Sequence, residues 1–594
     1  MVNFYMQIKA KTIEEQLKKK NPKKKISLKK QQWVEKEFNK AKERSFLDKR
    51  INPILSRLLS LRNVDVNNIE EYLNPKIKNI LPDPYILDHM ELATNKIVEI
   101  IKGKKKIGIF GDFDVDGSTS TALLSKYFDD VGVEFEFYIP DRVTEGYGPN
   151  IEAFKKLVEN NCELIITLDC GTTAFNEIDF LNKKGVDVIV IDHHKQSELL
   201  PNAFAIVNPN KNDDNSNLVN LCAAGVTFFL LTSLNRRLKE IKFFKDRVPN
   251  LILYLDLVAL GTICDLVKID HLNRAFVKQG LKIINHSSNL GISSIVNESK
   301  IENEINDYHL GFVIGPRINA GGRVGKSSLG AELLLCNEKK IANVMALKLG
   351  EFNNLRKKIE KEVESKALEM VEDNEKIICV SSENWHPGVI GIVASRLVEQ
   401  FNRPSIVISE EEKLCKGSCR SVQNFDISNL IVKAVNEGLL LNGGGHKMAG
   451  GFSIEKEKIK KFKDYLSKKY FKVVGEIIKN YDYKLNINNI NTNLYDEIVK
   501  LSPFGPGNQK PRFLLANCNL SFIKVVGNKH HSLLIEDNYG NKTKGIVFNS
   551  VNHDLGNFLD SFSGESVDLV ATLRRNTWNN EISIQLQVED IIVN

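Results

Sequence analysis

The chain has 594 residues, 42% hydrophobic and 26% charged, which excludes wholesale disorder and, at this length, a single small domain. Its net charge of +7 is concentrated in eight lysines, with no acid among them, at residues 18–30, so a polyanion partner must be held by local patches and a basic arm rather than by the overall field. Nine cysteines without a C-x-x-C pair read as reduced thiols, and no apolar run is long enough for a secretory signal or a membrane span, so a cytoplasmic location is expected.

Residues 1–45 are rich in Lys, Glu and Gln with few apolar positions, which predicts a mobile or helical basic arm, either a solvated tail or a contact for nucleic acid. From 46 to 335, short β-branched runs at 107–110, 135–139, 164–168 and 186–191 are each followed by a helical pattern. That alternation predicts an α/β domain built on a parallel sheet. Residues 336–372 contain no Pro and a single Gly, with apolar residues at helical spacing, so a long connecting helix is expected. A second α/β pattern occupies 373–475, marked by IICVSS, PSIVIS and a Gly-rich turn at 443–445. From 476 to 594, short strands separated by turn residues suit a small β-barrel.

The segment IGIFGDFDVDGSTSTALL sets Asp112, Asp114 and Asp116 directly after a buried strand and before a helix start. Residues two apart in an extended segment share a side, and three carboxylates converging there repel one another unless a cation neutralises them. Helix capping accounts for one such aspartate but not for three in phase. Two more strands end alike: LIITLDCG delivers Asp169, and VDVIVIDHH delivers Asp192, His193 and His194. Ligand sites of open parallel sheets lie at the carboxyl ends of strands, so βαβ wiring would gather five carboxylates and two imidazoles. That donor set suits Mn2+ or Mg2+, although D-H-H taken alone reads equally as a satisfied core pair. The apolar stretch DLVALGTICDLVKIDHLNR carries Asp256 and Asp265, where an unpaired buried carboxylate is costly. Position alone does not choose which of them meets a cation, though Gly261 and Thr262 would let Asp265 approach the sheet edge closely. Two metals bridged by one carboxylate make an in-line phosphoryl-hydrolysis site. Downstream, IGPRINAGGRVGKSS sets Arg317 and Arg323 around a Gly-rich turn whose N–H groups can face an anion.

Taken in order, D-x-D-x-D-G, L-D-C-G, D-H-H and G-T-x-x-D resemble the DHH phosphoesterase superfamily, and the chain beyond its basic arm is similar to the bacterial RecJ family of single-strand-specific DNA exonucleases. The resemblance implies metal ligands at Asp114, Asp116, Asp169, His193 and Asp265, with Asp169 as the bridge and Asp112 either a ligand or a neighbour of one. It implies a two-metal site of Mn2+ or Mg2+, a water nucleophile, and catalysis through Asp169, His193 and His194, the last facing the scissile phosphate. Arg317 would grip the nucleic-acid backbone and Asn319 shape its turn. WHPGVIGIVASRL, GSCRSV and NGGGHKMAGGF resemble the family's DHHA1 domain, which implies that Ser418 and Arg420 bind the 5′-terminal phosphate with His446 facing the same cleft. LSPFGPGNQKPRF and the strands after it resemble the family's OB-fold, with Phe522, His530, His531, Phe548 and Arg574 as candidate strand contacts. Arg142 and Tyr147 are further candidates.

By the same resemblance the activity is 5′-to-3′ hydrolysis of single-stranded DNA to 5′-mononucleotides, in recombination and repair. The implied partners are single-stranded DNA, single-strand-binding protein and a helicase, with no membrane and a monomeric chain. The alternatives are a phosphodiesterase of short oligonucleotides or cyclic dinucleotides, and a noncatalytic scaffold. Gly321, Lys326 and Asp426 depart from the family pattern, and none is an implied ligand.

Overall fold

The computed structural model describes residues 26–142, 144–146, 148–245, 247–287, 289–468, 477–578 and 581–594. The chain divides into two compact units, one of residues 74–473 with 505–507, the other of residues up to 73, 474–504 and 508–594.

In the first unit β1 (Lys106–Gly111), β2 (Phe135–Tyr138), β3 (Cys162–Leu168), β4 (Asp187–Ile191) and β5 (Ala205–Val207) form a sheet ordered β2-β1-β3-β4-β5. Every pair is parallel. Four strands stand where the apolar runs place them; β5 is only three residues long and shows no pattern of its own. The strands are apolar on both sides because helices cover both faces. Alternate residues therefore enter different cores: Leu164, Ile166 and Leu168 meet α1 (Val115–Val131), α2 (Ala223–Glu240) and α3 (Leu255–Cys264), whereas Ile165 meets Phe154 and Ile178 on the other side.

The segment with Arg317 and Arg323 is not the expected Gly-rich turn but a helix, α4 (Gly315–Val324). Pro316 suits its first turn, and its glycines serve close packing: a Cβ on Gly322 would lie 2.5 Å from the Phe113 ring. The connecting helix α5 spans Lys339–Glu369. Beyond it, β6 (Ile378–Glu383), α6 (Pro387–Phe401), β7 (Ser405–Glu410), β8 (Leu414–Arg420), β9 (Asn442–His446) and β10 (Ala449–Glu455) build a mixed sheet ordered β9-β10-β8-β7-β6. The glycines at 443–445 lie within β9 rather than in a turn; the chain reverses at Lys447 and Met448, between the paired His446 and Ala449.

In the second unit β11 (Tyr483–Lys484), β12 (Phe513–Val526), β13 (His530–Glu536), β14 (Lys542–Val547), β15 (Val567–Trp578) and β16 (Glu581–Val593) are ordered β11-β12-β13-β14-β16-β15. Pairing of β12 with β15 closes the barrel. Phe46, Leu58 and Leu59 share its core with Leu533, Ile535 and Leu569, so the sheet-bearing unit begins at 74 rather than at 46. Of the expected arm, residues 1–25 lie outside the described residues, as does Tyr147. Within the remainder, Gln31–Glu35 is a strand paired in parallel with Ile477–Tyr481, and the Trp33 indole donates to Asp590 Oδ2 at 2.8 Å. A single aromatic anchor outweighs the polar composition around it. No described helix is long and apolar enough to cross a membrane.

Candidate metal centre

The strand register builds the site. Gly111 pairs with Leu168, Leu168 with Ile191 and Ile191 with Val207, so the next residues, Asp112, Asp169, Asp192 and Asn208, form one row along the carboxyl edge. The ladder continues one step into that row: Asp112, Asp169 and Asp192 donate their N–H groups to Leu168, Ile191 and Val207 carbonyls at 3.2, 3.0 and 3.1 Å. Asp169 has φ +62°, a left-handed conformation costly for a non-glycine residue and typical of functional sites. Asp114 caps α1, accepting from Gly117 N at 3.1 Å, and a Cβ on Gly117 would sit 2.4 Å from the Asp112 carbonyl oxygen.

Three overlapping groups result: Asp112, Asp114 and Asp169; Asp169, His193 and His194; Asp116, His193 and Asp265, with one donor atom per residue within 4.8 Å of the others in each. His193 Nε2 lies 3.2 Å from Asp169 Oδ1, 3.5 Å from Asp265 Oδ2 and 3.7 Å from Asp116 Oδ2. Asp116 is steadied by the start of α2, accepting from Ala223 and Ala224 N at 2.6 and 2.9 Å. Asp265 ends α3, which passes so close that a Cβ on Gly261 would lie 2.8 Å from Asp116 Oδ1. Asp256, at the other end of α3, is turned away and accepts from Leu257 N at 2.7 Å and Asn289 N at 3.1 Å. The structure thus chooses Asp265 as the residue that joins the cluster.

Asp112 Oδ1, Asp169 Oδ1, His193 Nε2 and Asp265 Oδ2 are buried and have no hydrogen-bond partner among the described residues. Four orphaned donor atoms converging at one place is the signature of a cation site, since such groups are otherwise paired. Burial and the neighbouring carboxylates push Asp112 up to about 8 and Asp265 up to about 9, and raise Asp116 and Asp169 as well. Divalent cations would remove that cost, and the oxygen-rich set with one or two imidazoles fits Mn2+ or Mg2+.

Asp192 stands in the row but serves the histidines. Its Oδ1 accepts from His193 N, His194 N and His194 Nδ1 at 2.7, 3.0 and 2.8 Å, its Oδ2 from Thr172 N and Oγ1 at 3.1 and 2.6 Å. Burial opposes a charged His194, but the Asp192 bond and charge raise it to about 9.

The phosphate-binding candidates are less uniform. Arg317 is held by Glu298 Oε2 at 2.7 Å and the Val313 carbonyl at 3.0 Å, so its charge already has a partner. Asn319 Oδ1 is buried without a partner among the described residues. Arg420 donates to Ser418 Oγ at 3.4 Å and to the Cys419 carbonyl at 2.8 Å, and a Cβ on Gly391 would lie 3.0 Å from Ser418 Oγ and 3.3 Å from Arg420 Nη2. Arg323 donates to the Gly388 carbonyl at 3.0 Å; burial, then Arg142, Arg356 and Arg420, pull it down to about 10 against the opposing charge of Asp114. His446 is lowered by burial and by the charges of His194, Lys195 and His193. In the barrel, His531 is wholly buried between Ser550 Oγ at 2.7 Å and Asp560 Oδ1 at 3.0 Å, a packing residue rather than a strand contact. Phe522 is 72% exposed, and Arg574 lies over the Phe548 ring at 4.9 Å.

Family models match in three places: the DHH family N-terminal domain at 106–262, the DHHA1 domain at 374–470 and the RecJ OB domain at 481–590. The single-stranded-DNA-specific exonuclease RecJ of Haemophilus influenzae is 33% identical over 565 residues, covering 91% of this chain and 96% of the relative. The chain belongs to the RecJ family. The RecJ of Bacillus subtilis is 32% identical over 91% of this chain and 68% of its own length. Among solved structures, RecJ from Thermus thermophilus in complex with Mn2+ superposes with a TM-score of 0.80 at 26% identity, over 95% of this chain and 79% of that one. The same protein with Mg2+ gives 0.73 at 25% identity, over 95% and 78%.

The RecJ resemblance read from motifs names every acid of the cluster, but sequence reasoning missed Thr172, Asn208 and Asn210, which hold the D-H-H segment from behind. Their only sequence signal is position: Thr172 follows Asp169 by three residues, and Asn208 follows β5.

Proposed function

We propose that this chain hydrolyses single-stranded DNA from the 5′ end to 5′-mononucleotides, using two divalent cations, Mn2+ or Mg2+. The observation that carries the reading is the convergence of the four orphaned, buried donor atoms of Asp112, Asp169, His193 and Asp265 on the carboxyl edge of the sheet. Asp112, Asp114 and Asp169 would hold one ion and Asp116, His193 and Asp265 the other, with Asp169 between them. When bound, the ions supply an activated water and neutralise charge developing on the phosphoryl oxygens.

The remaining work falls to side chains. His194 is held at Nδ1 by Asp192, whose bond and charge favour the protonated ring, and its Nε2–H would face a nonbridging phosphate oxygen. Ser418 and Arg420 meet where Gly391 leaves room, and the charge of Arg420 reaches Arg323, a group of donors in need of an anion; a terminal phosphate supplies two charges there and a planar guanidinium matches it bidentately. Occupation of that pocket would set the strand end relative to the cations. Exposed Phe522 and the Arg574–Phe548 pair suit stacking by further bases of a polymer, as in other OB-folds.

The test uses 3′-labelled oligonucleotides, single-stranded and duplex, with and without a 5′-phosphate, incubated with Mn2+, Mg2+ or chelator. Stepwise shortening of the single strand alone, favoured by the 5′-phosphate and less so in Arg420→Lys, is expected. Cleavage confined to dinucleotides would refute the polymer reading.

A further inference from the structure

The row of residues that ends the strands has a fourth member, Asn208, which the metal chemistry does not use. It is fully buried and follows β5 as Asp112, Asp169 and Asp192 follow β1, β3 and β4. Its Nδ2 donates to Thr172 Oγ1 at 2.9 Å and to the His194 carbonyl at 2.8 Å, while its Oδ1 accepts from Asn210 N at 2.8 Å. Asn210 Nδ2 in turn donates to the His193 carbonyl at 2.6 Å. Both histidines are therefore gripped twice: from the front by Asp192, which accepts from their N–H groups, and from behind by two amides, which donate to their carbonyls.

The loop that carries these amides is itself anchored. The Lys211 side chain is completely buried and paired with Asp88, and Asp214 accepts from Asp88 N at 3.0 Å and from Ser216 N at 2.9 Å. Asn212 N donates to Gln196 Oε1 at 2.9 Å, tying the loop to the residues just past the histidines. One route thus runs from β5 through Asn208 and Thr172 to Asp192, with a branch to the His194 carbonyl, and a second runs through Asn210 to the backbone of His193.

We propose that Asn208 and Asn210 are positioning residues of the metal centre, fixing the backbone of His193 and His194 so that His193 Nε2 stays aimed at Asp116, Asp169 and Asp265. The inference rests on the reading of that cluster as a divalent-metal site. Neither amide reaches the cluster; each acts through a residue that does. A ligand whose ring direction is set by outer hydrogen bonds loses roughly 10–100-fold in metal affinity when those bonds are removed.

The experiment is Mn2+ titration calorimetry of the whole chain, beside thermal melts of the same proteins in chelator. Asn208→Ala and Asn210→Ala are expected to bind Mn2+ about 10–100-fold more weakly. Asp214→Ala, which loosens the same loop without touching either histidine, is expected to lower the melting temperature at least as much and leave Mn2+ affinity unchanged. Equal weakening in Asp214→Ala, or unchanged affinity in both asparagine variants, overturns the inference in favour of a merely structural loop. Should either asparagine variant fail to fold, Thr172→Val keeps the volume while breaking the route to Asp192, and must weaken Mn2+ binding. A wild-type chain that binds no Mn2+ overturns the metal-site reading and the inference with it.

Discussion

Asp192→Asn removes one negative charge while keeping shape, and its consequences can be worked through the histidine pair. The carboxylate receives five hydrogen bonds, three at Oδ1 from His193 and His194 and two at Oδ2 from Thr172. An amide has one acceptor oxygen, so one set of donors must face an NH2 group whichever way it turns. Burial alone lowers His194; the Asp192 bond and charge, then Asp265 and Asp112, lift it from 6.5 to about 9. Cations at the centre neutralise Asp265 and Asp112, which leaves Asp192 as the support of the imidazolium. Losing a charged donor to the transition state costs on the order of 100-fold in rate, about 3 kcal/mol. The sign follows from the direction of the Asp192 effect: it raises His194, so the ring loses its charge at a higher pH in the wild type than in the variant, where the loss moves down towards the ordinary histidine range or lower. The assay is kcat against pH on single-stranded DNA at saturating Mn2+. An alkaline limb at the same pH in the variant as in the wild type, with kcat within about twofold of wild type, refutes the reasoning.

In chelator, Asp112 and Asp265 bind protons more tightly folded than unfolded, so the metal-free fold gains stability as pH falls through about 9 and 8 towards 3.8. Its melting temperature should climb between pH 9 and pH 6, and Mn2+ should flatten or reverse that slope; a chelated chain most stable at pH 9 contradicts this. Asp265→Asn should remove one of the two Mn2+ equivalents seen by calorimetry, whereas Asp256→Asn, turned away from the cluster, should leave both while altering stability in urea. Gly261→Ala places a methyl group 2.7 Å from Thr119 Oγ1 and 2.8 Å from Asp116 Oδ1, so denaturant melts should show a loss of about 1–3 kcal/mol together with weaker Mn2+ binding.

The sequence by itself determined the sheet and the acids that end its strands, because a strand buried on both faces is a continuous apolar run and the first polar residue after it must stand at the edge. Asp112, Asp169, Asp192 and the two histidines are legible for that reason. The long helix and the barrel strands are legible too, since their periodicities are local. Tertiary structure decided what depends on a partner distant in the chain. Asp256 and Asp265 lie nine positions apart on one apolar helix, and only the close passage of Gly261 over Asp116 brings the second into the cluster. Arg317 looks like a free cation until Glu298 is found beside it, and His531 looks like a surface aromatic until Ser550 and Asp560 enclose it. The glycines of α4 read as a turn because composition does not reveal whether a missing side chain serves a positive φ or an approaching ring such as Phe113. Asn208, Asn210 and Thr172 carry no local pattern at all: short polar side chains acquire meaning from the carbonyls and carboxylates that folding sets against them, and those lie 14 to 36 residues away.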